Sequence, residues 1–150
     1  MRRTRFDTDP CPIARTADLL GDWWTPLVVR ELVLGGRRFG DLQERLGINR
    51  SVLTQRLRRL EDEGIVARRR YQDHPPRHEY ELTDKGRDLW AVLAVMWDYG
   101  RRWLFDEEQP PLDLVDKRTG EPVRPRVVDG TTGEPLEPRH TRRRAGSSRP

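Results

Sequence analysis

The chain has 150 residues, 36% of them charged, with 29 Lys+Arg against 25 Asp+Glu and one cysteine, Cys11. That length suits one ordinary domain with a modest core. The lone thiol excludes an internal disulfide framework and a cysteine-rich zinc site, and apolar runs of only a few residues exclude a membrane-spanning helix.

The opening residues, MRRTRFDTDPCP, are positively charged with no apolar stretch, so residues 1–10 read as a flexible arm rather than a secretion signal. A cytoplasmic address is expected. Residues 12–20 read as a short helix with Pro12 at its first position, Ile13, Ala17 and Leu20 on one side, and Gly21 at its end. A second helix is expected over 24–34, with Thr25 as N-cap before Pro26 and the pair Gly35-Gly36 as its stop. Arg37 and Arg38 suit a brief strand. Residues 39–46 form a third helix with Phe39, Leu42 and Leu46 inward, and Gly47 and Ile48 make a tight turn.

The fourth helix, 49–63, carries the clearest signals. Asn49 is a good N-cap, since its side-chain oxygen can satisfy an orphan backbone N–H. Leu53, Leu57 and Leu60 stand at i, i+4, i+7 and make one buried face. Arg50, Ser51, Thr54, Gln55, Arg58 and Arg59 occupy the opposite face, and Gly64 stands where a helix C′ residue belongs. Such a face suits a DNA major groove: Arg reads guanine, Gln reads adenine, and Ser or Thr serves a base or a phosphate. Residues 50–78 hold eight basic and four acidic residues, which equals the whole net charge of +4. A locally basic segment on a nearly balanced chain is the footprint of a polyanion-binding surface.

Residues 65–71 and 78–82 alternate like strands, and QDHPPR between them, 72–77, reads as a loop. Two strands joined by a basic loop after a helix-turn-helix make a wing. Thr83 caps a long helix over 84–104, whose buried candidates are Leu89, Trp90, Leu93, Met96, Trp97, Gly100 and Leu104. That apolar load has two readings. The helix covers its own core, or part of it (Trp90, Leu93, Trp97, Gly100, Leu104) forms a symmetric dimer interface, where Trp and Met are enriched.

Several of these residues carry a family likeness. They are Cys11-Pro12, Trp24-Thr25 with Arg30-Glu31-Leu32, Arg38-Phe39, the run Leu53, Arg56, Leu57, Leu60, Glu61, Gly64, Ile65, Val66, and Pro76-Arg77 with Tyr80, Leu82, Thr83 and Gly86. From Cys11 to about Trp103 the chain resembles the HxlR-type winged-helix transcriptional regulators of bacteria, relatives of the MarR-like proteins; the tandem Trp23-Trp24 is a small departure. The resemblance implies a mainly α fold with a small β-wing. A winged helix-turn-helix DNA-binding and dimerisation domain would cover 11–105, with a repeat-containing tail over 106–150. It also implies a homodimer on inverted-repeat double-stranded DNA, with no cofactor and no catalytic site.

In that arrangement two recognition helices lie about one helical turn, ~34 Å, apart. Arg50, Ser51, Thr54, Gln55 and Arg58 are assigned to bases or nearby phosphates, and Arg68, Arg70 and Arg77 to phosphate or the minor groove. Arg56, beside buried Leu57, either joins them or pairs with Glu31 or Glu61. Some members of the family sense oxidants or electrophiles through a cysteine at the position of Cys11; a packing cysteine is the plainer reading. An effector pocket at the dimer interface, lined by Trp23, Trp24, Trp90, Trp97 and Trp103, is a further alternative.

The tail repeats itself after thirteen residues: Asp116–Val123 matches Asp129–Leu136. The spacing resembles a pair of zinc knuckles without their cysteines, so a metal-free β-ribbon or a disordered tail is expected. The last dozen residues, with Arg142-Arg143-Arg144, Ser147 and Ser148, are expected to be disordered. The three histidines, His74, His78 and His140, join no Ser/His/Asp set or metal cluster, and no phosphate-binding glycine loop appears, so no enzyme is expected.

Overall fold

A computed structural model describes residues 6–106 and 112–146. The expectations for residues 1–5 of the arm and for Ser147 and Ser148 lie outside the described residues. The elements run α1 (Pro12–Leu20), α2 (Trp24–Val33), α3 (Phe39–Leu46), α4 (Arg50–Asp62), β1 (Val66–Gln72), β2 (Arg77–Leu82) and α5 (Asp84–Trp103), then a single 3-10 turn at Pro138–His140. This is the mainly α, winged arrangement that the sequence spacing points to.

The chain divides into two compact units within α5, one ending at Leu93 and the other starting at Ala94. The first unit holds the core: Val28 and Val29 of α2, Leu42 of α3, Leu53, Leu57 and Leu60 of α4, then Ile48, Ile65, Val66, Leu89 and Leu93. Helix α4 is built as its sequence suggests. Asn49 Oδ1 accepts the Ser51 N–H at 2.9 Å, and the three leucines are buried.

Two details of the first helices differ from expectation: the cap of α2 and the inward side of α1. Thr25 does not cap α2; Asp22 does, accepting the Trp24 and Thr25 N–H groups on Oδ1, each at 2.9 Å, and the Thr25 hydroxyl on Oδ2. A carboxylate that satisfies two orphan donors at once draws the helix start back toward itself. In α1, Ile13 and Ala17 are exposed, while Asp18 is buried and Leu19 and Leu20 pack on the core. Arg59 of α4 donates to the Asp18 carbonyl at 2.6 Å and lies 3.5 Å from its carboxylate, which turns that side of α1 inward.

The wing is a two-stranded antiparallel hairpin pairing Val66 with Leu82 through Arg70 with His78, with an irregularity at Tyr71 before Gln72 meets Arg77. The brief strand expected at Arg37-Arg38 is one bridge, Arg38 to Glu79, beside a bond from Tyr80 N to Arg37 O at 2.7 Å. Helix α5 starts hard against the α4–β1 junction. The Thr83 hydroxyl faces the Gly64 and Ile65 carbonyls at 2.6 and 3.1 Å and accepts the Gly86 N–H at 3.1 Å, while Lys85 reaches the Glu63 carbonyl at 2.5 Å. Gly86 is required there, because a Cβ would collide with the Ile65 carbonyl oxygen.

On α5, Leu89 and Leu93 are buried and Trp90 packs on the core, whereas Met96 and Leu104 are exposed in the single chain and so do not belong to its own core. Trp90, Leu93, Trp97 and Leu104 share one helical stripe. Besides Leu104, the uncovered apolar residues lie one position back along the helix: Val92, Val95, Met96, Tyr99 and Trp103.

The second unit contains the repeat as two like hairpins, bridged at Val115–Pro122 and at Val128–Pro135. In each, an Asp accepts the backbone N–H two residues on (Asp116 from Arg118, 2.8 Å; Asp129 from Thr131, 2.7 Å), and a glycine with φ +75° closes the turn. Residues 141–146, including Arg142, Arg143 and Arg144, adopt no regular structure.

Candidate nucleic-acid interface

Helix α4 presents Arg50, Ser51, Gln55 and Arg58 to solvent, with Thr54 half-buried among them. Their chemistry differs. The Ser51 hydroxyl donates to Asn49 Oδ1 at 2.7 Å and the Thr54 hydroxyl donates to the Arg50 carbonyl at 2.8 Å. Both hydroxyls are thus occupied by the helix's own first turns, which leaves Arg50, Gln55 and Arg58 as the long, available side chains. Arg50 is itself steadied over the Phe39 ring at 5.3 Å.

Two other arginines of α4 are structural. Arg56 points inward: its Nε lies 3.0 Å from Asp22 Oδ1, too poorly angled for a hydrogen bond and with no other acceptor. Its expected partners are elsewhere, since Glu31 pairs with Arg30 at 2.7 Å and Arg45 at 3.8 Å. Arg59 holds α1 through Asp18. The carboxylates that also cap or close α1 and α2 set the direction of both side chains.

The wing sorts its arginines in the same way. Arg69 pairs with Glu81 at 2.8 Å. Arg70 folds over the loop, donating to the Asp73 carbonyl at 2.9 Å and pairing with its carboxylate at 3.1 Å, so it closes the wing tip. Arg68 meets His78 Nδ1 at 3.1 Å. Arg77 is exposed and makes no ion pair among the described residues.

Between α3, α4 and the wing lies a cleft of about 680 Å³. Arg50, Thr54 and Arg58 line it from α4, Arg68, Arg77 and His78 from the wing, and Arg38, Phe39, Asp41 and Gln43 from the start of α3. Five guanidiniums face two carboxylates, Asp41 and Glu61. Residue type alone does not single out Arg38 for this face, although it stands beside Phe39 at the helix entry; here it lies over the Tyr71 ring at 4.9 Å. Tyr80 forms part of the wall. Burial raises its phenol above the ordinary 10.0; Arg68 and Arg58 pull it back and Glu61 pushes it further up.

Cys11 precedes α1 and is half-buried; its N–H donates to Asp9 Oδ1 at 2.7 Å, and Arg15 is engaged with the Asp9 carbonyl at 2.6 Å. Of the tryptophans, Trp23 is exposed and Trp90 borders a cavity beside α2 and β2. Among the described residues, no group of His, Cys, Asp and Glu is arranged to hold a metal ion, and no helix is long and apolar enough to cross a membrane.

Three helices, a capped and arginine-rich fourth helix, and a hairpin behind it define a winged helix-turn-helix protein. The chain belongs to the HxlR-like helix-turn-helix family, whose profile matches residues 19–108. An uncharacterized HTH-type transcriptional regulator of Mycobacterium tuberculosis is 42% identical over 116 residues, covering 77% of this chain and 73% of the relative. Among solved structures, PA1607, described as a candidate transcription factor, has a TM-score of 0.86 at 34% identity over 95% of this chain and 100% of its own. The reduced form of the redox regulator HypR has a TM-score of 0.57 at 33% identity, covering 63% of this chain and 96% of its own. The protein is therefore a transcriptional regulator built on a helix-turn-helix DNA-binding fold and, like its family, not an enzyme.

Proposed function

We propose that the protein binds an inverted-repeat operator as a homodimer, with α4 in the major groove and the wing on the flanking backbone or minor groove. One observation carries this reading: the free arginines of α4 and of the wing line the same basic cleft. Arg50, Gln55 and Arg58 read bases, and Ser51 and Thr54 would meet phosphates only by turning their hydroxyl protons away from Asn49 Oδ1 and the Arg50 carbonyl. Arg68 and Arg77 contact the backbone or minor groove, with Arg70 shaping the wing for them. The domain at 11–105 holds this machinery and the tail at 106–150 extends it, in a cytoplasmic protein.

Dimerisation uses α5. Of the residues that the sequence offers for it, Leu93 and Trp90 belong to the chain's own core, while Trp97, Gly100 and Leu104 flank the uncovered stripe. That stripe, with Met96 at 50%, Tyr99 at 57% and Trp103 at 67% exposure, is the surface a second copy would cover.

A gel-shift titration against the promoter region of the protein's own gene, over a salt series, tests the reading. Log affinity should fall against log salt with a slope of roughly −0.9 per phosphate contact. Arg77→Ala should reduce that slope by about 1 with little change in sequence preference, whereas Arg58→Ala should cost about 1–3 kcal/mol and relax preference at one base. Binding that ignores salt sinks the proposal.

A second reading, thiol control through Cys11, draws on HypR, a redox regulator with the same fold. Alkylating Cys11 and replacing it by serine test it together: operator affinity unchanged in both removes the switch.

A further inference from the structure

We propose that a second cavity, of about 440 Å³ and bounded by α2, β2 and the start of α5, binds a small amphipathic monoanion: a carboxylate on an aromatic or branched apolar body. The volume falls in the range of small-molecule sites, which pair an apolar lining with a few directed polar groups. Leu32, Val33, Leu82 and Trp90 supply the apolar lining, and Arg37, Arg87 and Glu81 the charge.

The charges are not equivalent. Both oxygens of Glu81 are taken, Oε1 by Arg37 at 3.0 Å and Oε2 by Arg69 at 2.8 Å, so this carboxylate has no strong demand left for a cation. Arg87 donates one N–H to the Leu82 carbonyl at 2.6 Å and holds the Asp84 carboxylate with the other arm. The Asp84 side chain is 98% exposed, and an ion pair to so solvated a group contributes little. A ligand carboxylate arriving over the apolar lining is a better partner for that arm, because a charge-assisted bond strengthens as water is excluded. With the outer partners counted, Arg37, Arg69 and Arg87 stand against Glu81 and Asp84, which leaves one positive charge to neutralise and favours a monoanion over a cation or a dianion. The indole N–H of Trp90 makes no hydrogen bond among the described residues, so a donor also remains at this wall.

The proposed contacts to bases and phosphates use none of Arg37, Arg87, Glu81 and Trp90. Tyr80 alone lines both this cavity and the basic cleft. An effector role for the ligand rests on the DNA-binding reading; occupancy of the cavity does not.

Isothermal titration of the full chain with 2-naphthoate, and separately with neutral 2-naphthamide, tests the site without DNA. The expected result is saturable binding of one naphthoate per chain, with the amide weaker by about tenfold or more. Arg87→Gln should lose naphthoate affinity by a similar factor while its thermal midpoint stays near that of the parent chain. Val33→Trp, which fills the cavity, should abolish the heat. Absence of saturable binding, an amide as tight as the acid, or full affinity in a folded Arg87→Gln variant each overturns the proposal. Should Arg87→Gln fail to fold, the acid–amide comparison on the unaltered chain still supports or overturns it.

Discussion

The stretch from α2 to Leu93 and the paired hairpins of the tail are ordered by different physics. The first has twelve buried apolar residues, and its arginines fold back onto neighbouring elements through Asp18, Asp22 and Glu81. The second has no buried residue among those described from Ala94 onward. Its turns are made by side chains that bond their own backbone, so each hairpin specifies itself and needs no core. Long-range burial gives the first unit a surface whose arginines hold fixed positions. Local turn chemistry gives the second a shape that repeats when its thirteen residues repeat.

The largest test of this contrast sets a buried leucine against an exposed one. Leu57→Ala, at a site 1% exposed, should cost about 2–5 kcal/mol. Leu136→Ala, at a site 50% exposed, should stay within roughly 0.5 kcal/mol. Thermal or urea unfolding reads both, and equal losses would erase the distinction.

An intermediate effect is expected from two glycine substitutions. Gly86→Ala places a methyl group against the Ile65 carbonyl and should destabilise the first unit by about 1–3 kcal/mol. Gly133→Ala meets no neighbouring atom but must hold φ +75°, so it strains its own turn by roughly 1–2 kcal/mol. Global melting should shift for Gly86→Ala alone, and amide shifts of Thr131 to Glu134 for Gly133→Ala alone.

The smallest effect is the pH response of the tail. The Asp116 carboxyl is held below its ordinary 3.8 by the Arg118 side chain and then the Arg118 N–H; Asp129 is lowered by the N–H groups of Thr131 and Thr132. A depressed carboxyl stabilises the turn above the unfolded value, and that contribution disappears as pH falls through the folded one. The amide resonances of Arg118 and Thr131 should hold steady from neutral pH down to about 5 and move only below about 4. Movement between pH 7 and 5 would assign the turns to some other group.

Helix α4 is legible in the sequence because its cap, its leucine spacing and its terminal Gly64 all lie within sixteen residues and agree. The arginines are harder to read. Arg56, Arg58 and Arg59 are alike in sequence, and only Asp22 and Asp18, more than thirty positions away, turn the first and third inward. The exposed stripe on α5 lies one helical position from the expected one for a related reason. Trp90, Val92, Leu93, Val95, Met96 and Trp97 are apolar nearly all round the helix, so periodicity alone does not say which side meets the core. At α2, Thr25 and Asp22 both suit a helix start, and the stronger acceptor wins. The cleft joins Arg38, α4 and the wing from three separate elements, a grouping visible only once the chain is folded.

The clamp between Thr83, Gly86 and the end of α4 has a further consequence. Within the first unit it ties the start of α5 to the helix that carries Arg50 and Arg58, so the stretch of α5 up to Leu93 cannot turn without α4. In the proposed operator complex this makes half-site spacing a probe of that coupling: one added base pair at the centre turns the second half-site by about a tenth of a revolution.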